Sequence, residues 1–527
     1  MNIIKFDEIE LKTTKHKLND NGRICIGEEE ICSQDLYVKE IYENMENGDE
    51  YVKIAFRDVG KKKWKTIITD RINIISNNKI VNLGRKGLDV STTNSSKLVN
   101  YLRDITNSNK DIIKRAVSTS KMGWHGEDFI PYDKNIVYDG EDCFRGAYES
   151  LKGKGNYDEW LEEMKDIRNS LVVRLCMAAS FGSVLLKKIG KKPFVIMIWG
   201  TSGDGKTVAA MCAMSIWGSP AEGDLQFCMN STDNFYFRIA DFLNNIPCFF
   251  DELQTYPKIN QLDKLIMGLT EGIDRGKGKA EGGVERPKKW QNIFIMTGEQ
   301  SASNYNSGGG TLNRLIEIST SEKIIKNGSK TANCVTKNYG WAGKDFINYL
   351  KNISENKLIE RYNKRLEELL NIKDTEEKQA QNMALLLLAD DLARECIFKE
   401  ETPIKVEDVV GYMFTKKEID ISERAWEYIQ NEVAINEINF AESSIEKWGR
   451  IIDNGFGIFI NKNILEKILR NNGFNPRKMY KDWSNKGYLI KQADNRYSQK
   501  RQVYGINAHF VELRIKMGGE NEKISEN

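Results

Sequence analysis

The chain has 527 residues, 29% of them charged, yet its formal net charge is only +2. That length implies more than one domain with its own core, and the near-neutral balance excludes steering by global charge, so nucleic-acid contacts must come from local basic clusters. Nine cysteines without a C-x-x-C pair and only three histidines (His16, His125, His509) argue against a zinc module and for free thiols in a reducing cytoplasm.

Residues 1–150 read as a mixed α+β domain rich in short strands, punctuated by Asn47-Gly48-Asp49 and Asp133-Lys134-Asn135, with one helix over Ser96 to Thr106. Met1 to Glu8 is too charged for a signal peptide. Met122-Gly123-Trp124-His125-Gly126 has no obvious chemical partner, and His125 reads as a structural turn residue in preference to a base. From Asp158 to Ile189 the pattern turns helical, with Trp160, Met164 and Ile167 on one face. The most apolar stretch, Leu171 to Leu186, carries Arg174 and ends in Lys187-Lys188, so a buried helix fits better than a membrane span. A soluble protein with no membrane partner is expected.

Gly200-Thr201-Ser202-Gly203-Asp204-Gly205-Lys206-Thr207 matches the phosphate-binding pattern G-x-x-x-x-G-K-[ST] in full. An apolar run, Pro193 to Trp199, precedes it as a buried strand, and Val208 to Met214 follows as a buried helix. Glycines let the backbone curl so that its N–H groups face phosphate oxygens, and the helix N-terminus adds its positive dipole end. Lys206 is expected to reach the β- and γ-phosphates and Thr207 to ligate Mg²⁺. Further along, Ile246-Pro247-Cys248-Phe249-Phe250 is a short strand ending in Asp251-Glu252. Asp251 is placed to hold the Mg²⁺ shell and Glu252 to polarise a water, a pairing suited to triphosphate hydrolysis.

A third strand, Asn292 to Met296, ends in Thr297-Gly298-Glu299; Thr297 is the expected γ-phosphate sensor, with Glu299 second and an ordinary turn competing. Arg314 lies between Gly308-Gly309-Gly310 and an apolar strand, where an arginine finger sits; a surface ion pair is the competing reading. Between the second and third strands, Asp274 to Trp290 mixes glycines with basic residues and suggests a mobile hairpin that grips phosphates through Lys277 and Lys279, flanked by Arg275 and Lys289. Asp345 to Leu370 and Gln379 to Phe398 read as amphipathic helices of a lid or linker over 331–420.

In 421–516, a helix over Asn463 to Arg470 and a turn lead to Asn475-Pro476, an N-cap and first helical residue. The helix that follows carries Arg477, Lys478 and Lys481 and closes at Gly487. Strands at Tyr488 to Lys491 and Gln502 to Ile506, around a loop with Arg496, Lys500 and Arg501, complete a winged-helix pattern that binds DNA or, alternatively, protein. Residues 517–527 read as a disordered tail.

Several motifs occur in a fixed order: Gly123 to Gly126, Gly200 to Thr207, Ser215-Ile216-Trp217-Gly218-Ser219-Pro220, Asn230-Ser231-Thr232, Asp251-Glu252, Gly276 to Lys279, Trp290 and Thr297-Gly298-Glu299. In these the chain resembles the domain-of-unknown-function nine-two-seven family of phages, plasmids and staphylococcal chromosome cassettes. The resemblance implies a hexameric AAA+ ATPase using ATP and Mg²⁺, similar to replicative helicases of mobile elements and more distantly to the minichromosome maintenance ring. It assigns Lys206, Thr207, Asp251 and Glu252 to hydrolysis, Thr297 to sensor 1 and Arg314 to the finger. Relatives often travel with a primase domain; its absence here makes a separate primase or initiator an expected partner. Met296 stands where that pattern has serine. The expected fold is therefore α/β, a P-loop AAA+ core over 151–330 with a mixed N-terminal domain, helical lid and winged helix. The expected function is an ATP-driven helicase on single-stranded or forked DNA. A switch or remodeller that does not unwind, and an initiator that uses ATP only to assemble, are the alternatives.

Overall fold

Phe194 to Ile198 and Ile293 to Met296 are apolar without alternation, the pattern of strands covered on both faces, and both lie in the middle of a five-stranded parallel sheet. In space the strands run Gln226–Cys228, Cys248–Asp251, Ile293–Gly298, Phe194–Gly200, Leu315–Thr320, which in chain order reads 5-1-4-3-2 from the far side. The helices Lys206–Ser215 and Leu171–Ser183 pack against this sheet, and nearly every residue of the second is buried. The computed structural model describes all residues except 58–62, 134–135, 277–286, 306–307, 373, 401, 453–456, 493–494 and 516–527.

The core around this sheet extends from Met122 to Met413, so the side chains of Met122, Trp124, Phe129, Tyr138 and Phe144 pack with the glycine-loop region, while the short strand Val137–Tyr138 also pairs with Lys114–Thr119 of the preceding sheet. A separate core, Ile4 to Ile113, unites the five-stranded mixed sheet built on Leu36–Asn44 and Glu50–Arg57 with the helix Ser95–Ser108. In it, the Asp104 carboxylate accepts from His16 Nδ1 at 2.7 Å and from the Thr14 hydroxyl at 2.8 Å. Burial opposes ionisation of Asp104, but these donors outweigh it and hold the acid well below its ordinary range.

The expected helices beyond the sheet form as Trp341–Lys351, Glu355–Leu370 and Glu377–Ala393. The last departs from its amphipathic reading, because almost every side chain from Gln379 to Ala393 is buried. It is wedged between Leu171–Ser183 and Glu355–Leu370, so no face remains for solvent. Its Asp390, fully buried, is held by Arg174 Nε at 2.9 Å and Arg168 Nη2 at 2.9 Å. Arg174, which broke the apolar run in the sequence, thus finds its counter-charge inside the protein.

The C-terminal region has its own apolar core from Ala425 to Ile515. Helices Lys462–Asn471 and Pro476–Asn485 form the expected pair, and Asn475 Oδ1 caps the second by accepting from Lys478 N at 3.3 Å. The hairpin is displaced from its expected place. Its strands are Gln499–Val503 and Ile506–Leu513, joined by Tyr504-Gly505 with φ of 47° and 81°. Two successive positive φ values make the tight turn that matches strand twist, so the turn falls inside the stretch read as a strand. Tyr488 to Lys491 contributes only an isolated bridge, Leu489 to Leu513. Among the described residues no helix is long and apolar enough to cross a membrane.

Candidate nucleotide site and basic helix-turn-helix face

All five strands are parallel, so their C-terminal ends share one edge. The glycine loop leaves Phe194–Gly200 at that edge, where Gly200 abuts the last strand: a Cβ there would lie 2.2 Å from Thr320 Oγ1. Asp204 pins the loop from the other side, its carboxylate accepting from the Thr320 hydroxyl at 3.0 Å. The Lys206 ammonium donates to the carbonyls of Gly200 at 3.0 Å and Thr201 at 2.6 Å. A cleft of about 400 Å³ opens above the loop, lined by Ser202, Gly203, Gly205, Lys206 and Thr207 together with Asp251, Glu252, Thr297 and Glu299. Gly200, Thr201 and Asp204 support this loop without lining the cleft.

Asp251 ends its strand beside the loop and is nearly buried. Its carboxylate accepts from Thr207 Oγ1 at 3.1 Å, from Gln226 Nε2 at 2.8 Å and from the Thr297 hydroxyl. All three donors are neutral, and among the described residues Asp251 has no ion pair. A hard cation prefers such oxygens, and the Asp251–Thr207 pair at the cleft wall supplies two that could hold one. Glu252, exposed to the cleft, sits in the left-handed region at φ 60°, ψ 63°. Such a conformation costs a non-glycine residue about 1–2 kcal/mol. It is held by Thr255, whose N–H and hydroxyl both donate to the Glu252 carbonyl, and by the Glu252 N–H, 3.4 Å from Thr297 Oγ1. Thr297 therefore ties the two carboxylate residues together.

Reading the sequence alone missed Gln226, Lys323 and Lys326. The lysines line the cleft directly after the last strand, and Ile324 N donates to the Asp204 carbonyl at 2.9 Å. Parallel topology was the available signal: whatever follows Thr320 must emerge beside the glycine loop.

Arg314 lies at the opposite edge. Its carbonyl accepts from Val195 N at 2.9 Å, at the start of the strand that ends at Gly200. Six strand residues span about 17–20 Å, so Arg314 cannot serve its own chain's loop. Its guanidinium touches the Gly310 carbonyl at 2.9 Å and Glu271 at 3.5 Å, a partly exposed pair worth about 0–1 kcal/mol.

Arg275 and Lys289 are exposed at the two ends of the basic segment, whose flanks pair through Ile273 and Lys289. Lys277 and Lys279 lie outside the described residues, as does the 517–527 tail. His125 is partly buried, its Nε2 3.2 Å from the Lys121 carbonyl, and burial pushes its pKa below that of a free imidazole. In the C-terminal region, Arg477, Lys478 and Lys481 are exposed while Met479, Tyr480 and Trp483 face the core. A groove of about 1000 Å³ runs from Asn475 and Arg477 to Arg496 and Tyr497. Lys500 is exposed on its strand; Arg501, on the other face, stacks its guanidinium 4.1 Å from the centre of the Phe459 ring.

Together these features define an α/β protein with a phosphate-loop cleft at the edge of a parallel sheet and a helix-turn-helix region at its end. Two family comparisons agree with that description. Residues 11–290 match the family described as Domain of unknown function (DUF927), and residues 420–516 match the Cch helix turn helix domain. The chain belongs to the DUF927 family. Its fold is similar to that of a solved structure of SCCmec type IV Cch, described as an active helicase, with a TM-score of 0.69 and 19% identity over 96% of this chain and 98% of that one. A structure of the apo NrS-1 C-terminal region aligns over 90% of this chain and 96% of that one, at 10% identity and a TM-score of 0.31. Among curated proteins none matches the sequence.

Proposed function

We propose that this protein is an AAA+ ATPase that uses ATP and Mg²⁺ to drive a DNA helicase ring in the replication of a phage or mobile element. The observation that carries the reading is the meeting of Thr207, Asp251, Thr297 and Glu252 above the glycine loop. The 5-1-4-3-2 strand order supports the AAA+ assignment. In this reading, loop N–H groups and Lys206 hold the β- and γ-phosphates, which requires the ammonium to swing from the Gly200 and Thr201 carbonyls to the ligand. Asp251 and Thr207 would hold Mg²⁺, whose chemical contribution is to neutralise charge between the phosphates. Glu252 accepts a proton from the attacking water, and Thr297 orients that water toward the γ-phosphate. Lys323 and Lys326 add positive charge over the cleft.

Because Arg314 lies at the far edge of its own sheet, it acts in a neighbouring copy's cleft, in keeping with a homo-hexamer. The domain division proposed is 1–150, 151–330, 331–420 and 421–516, with apolar residues from Met122 to Leu151 and from Val335 to Met413 sharing the core of the 151–330 unit. DNA is engaged by the basic 274–289 segment and by the Arg477, Lys478 and Lys481 face, with Arg496 and Lys500 beside it.

Strand displacement on forked DNA tests the whole reading. Wild-type protein is expected to separate strands with ATP, and both Lys206→Ala and Glu252→Gln are expected not to, the second while still binding ATP. Hydrolysis that ignores DNA would favour the switch, and ATP-dependent DNA binding without strand separation would favour the initiator.

A further inference from the structure

Gly123-Trp124-His125-Gly126 carries no reacting group, yet neighbours grip it on several sides. Trp124 is buried; its indole N–H donates to the Val184 carbonyl and its backbone N–H to Asn245 Oδ1, both at 2.9 Å. Gly123 has φ 79°, and a Cβ on it would lie 2.6 Å from that same Asn245 oxygen. Met122 N donates to the Phe242 carbonyl at 2.8 Å, and Asn244 Nδ2 returns a bond to the Met122 carbonyl at 3.0 Å. The segment thereby clasps the 241–246 turn, which feeds the strand ending at Asp251.

The same turn is held from its other side by the root of the basic segment. Asp274 N donates to the Lys288 carbonyl at 2.9 Å, closing that root. Lys289 N then donates to Asp241 Oδ1 at 3.1 Å, Gln291 N to the Asn244 carbonyl at 3.2 Å, and Asn292 Nδ2 to the Ile246 carbonyl at 2.8 Å. Lys121 completes the arrangement. Its ammonium pairs with Asp241 and donates to the Lys289 carbonyl at 3.1 Å, so one carboxylate oxygen binds both Lys121 and the backbone of Lys289. With side chains 19% and 16% exposed, this pair is partly shielded from solvent. Two strands leave the junction, and their far ends carry Asp251 and Thr297. On the near side, Glu46 of the N-terminal region accepts from Ser120 N at 3.3 Å and lies 3.7 Å from His125 Nδ1.

We propose that Lys121 is a positioning residue that, through Asp241 and the Lys289 carbonyl, fixes the root of the basic segment to the two strands bearing Asp251 and Thr297, so that DNA engaged there stimulates hydrolysis. The inference rests on the reading that the basic segment contacts DNA. A close-packed sheet passes a displacement along its strands with little compliance, whereas an unpinned root would absorb it by local rotation.

The test compares ATP hydrolysis by the full chain with and without a saturating oligothymidylate. Lys121→Met is expected to cut the DNA-stimulated increment by about fivefold, the size of coupling changes along packed networks, while basal hydrolysis stays unchanged. Asp241→Asn should behave alike, and Lys121→Arg should restore most of the increment. Should Lys121→Met be insoluble, the Asp241→Asn and Lys121→Arg pair decides the matter. Full stimulation in Lys121→Met or Asp241→Asn, alongside loss of stimulation in a Lys277→Ala/Lys279→Ala variant, overturns the inference and leaves the DNA-contact reading standing. Stimulation that survives Lys277→Ala/Lys279→Ala overturns the DNA-contact reading itself, and the inference with it.

Discussion

Two buried aspartates in this molecule meet opposite fates. Asp390, between helices, is neutralised by the guanidiniums of Arg174 and Arg168, with Glu400 sharing the second. Asp251, at the sheet edge, accepts among the described residues only from neutral donors, Thr207, Gln226 and Thr297, and opens on a cleft. A buried carboxylate whose charge is matched within the protein serves the fold. One that is hydrogen-bonded to neutral groups and opens on a cleft is, in the function proposed above, matched by a cation that arrives from outside.

The largest effect expected from this contrast is on stability. Asp390→Ala strips Arg174 of its carboxylate, leaving the Thr402 carbonyl, and should lower unfolding free energy by about 3–5 kcal/mol. Urea denaturation measures it, and an unchanged midpoint would break the comparison. Next comes Asp251→Asn, expected to reduce Mg²⁺-dependent hydrolysis by about 10²–10³-fold, as for loss of one preorganised electrostatic group. Its urea midpoint should hold or rise, since no internal cation loses a partner; a collapse in stability would mean that Asp251 is structural like Asp390. Smaller again is the basic face. Each of Arg477→Ala, Lys478→Ala and Lys481→Ala should weaken DNA binding and reduce the slope of log affinity against log salt by about 1, read by fluorescence anisotropy across a salt series. The smallest change is expected for Glu271→Gln, whose partly exposed pairs with Lys192 at 2.8 Å and Arg314 at 3.5 Å should each contribute less than about 1 kcal/mol. Against that background, and on the ring assembly proposed above, Arg314→Ala subunits mixed with wild-type protein should depress hydrolysis in adjacent clefts, a poisoning curve that a surface ion pair would not produce.

The parts of the candidate site that could be read in advance are contiguous. The glycine loop, its Lys206-Thr207 ending and the Asp251-Glu252 step each declare themselves within a few residues, because their geometry is local backbone geometry. Asn475-Pro476 was legible for the same reason: capping involves residues within one turn. What escaped was of longer range. Gln226 meets Asp251 from a different strand, Lys323 and Lys326 reach the cleft only because the strands are parallel, and the Tyr504-Gly505 turn depends on pairing across the hairpin. The segment Gln379 to Phe398 read as amphipathic, but the polar residues of the helix Glu377–Ala393 are spread around it, and only its neighbours reveal that Asp390 faces guanidiniums.

The sequence by itself determined where the glycine loop lies, which residues end it and where the basic helix begins, since these follow from short-range sterics, dipoles and caps. Tertiary structure alone decided which carboxylate is compensated, which sheet edge Arg314 occupies and how Lys121 reaches Asp241. Each of those depends on groups far apart in the chain, brought together only when the apolar faces around them are buried.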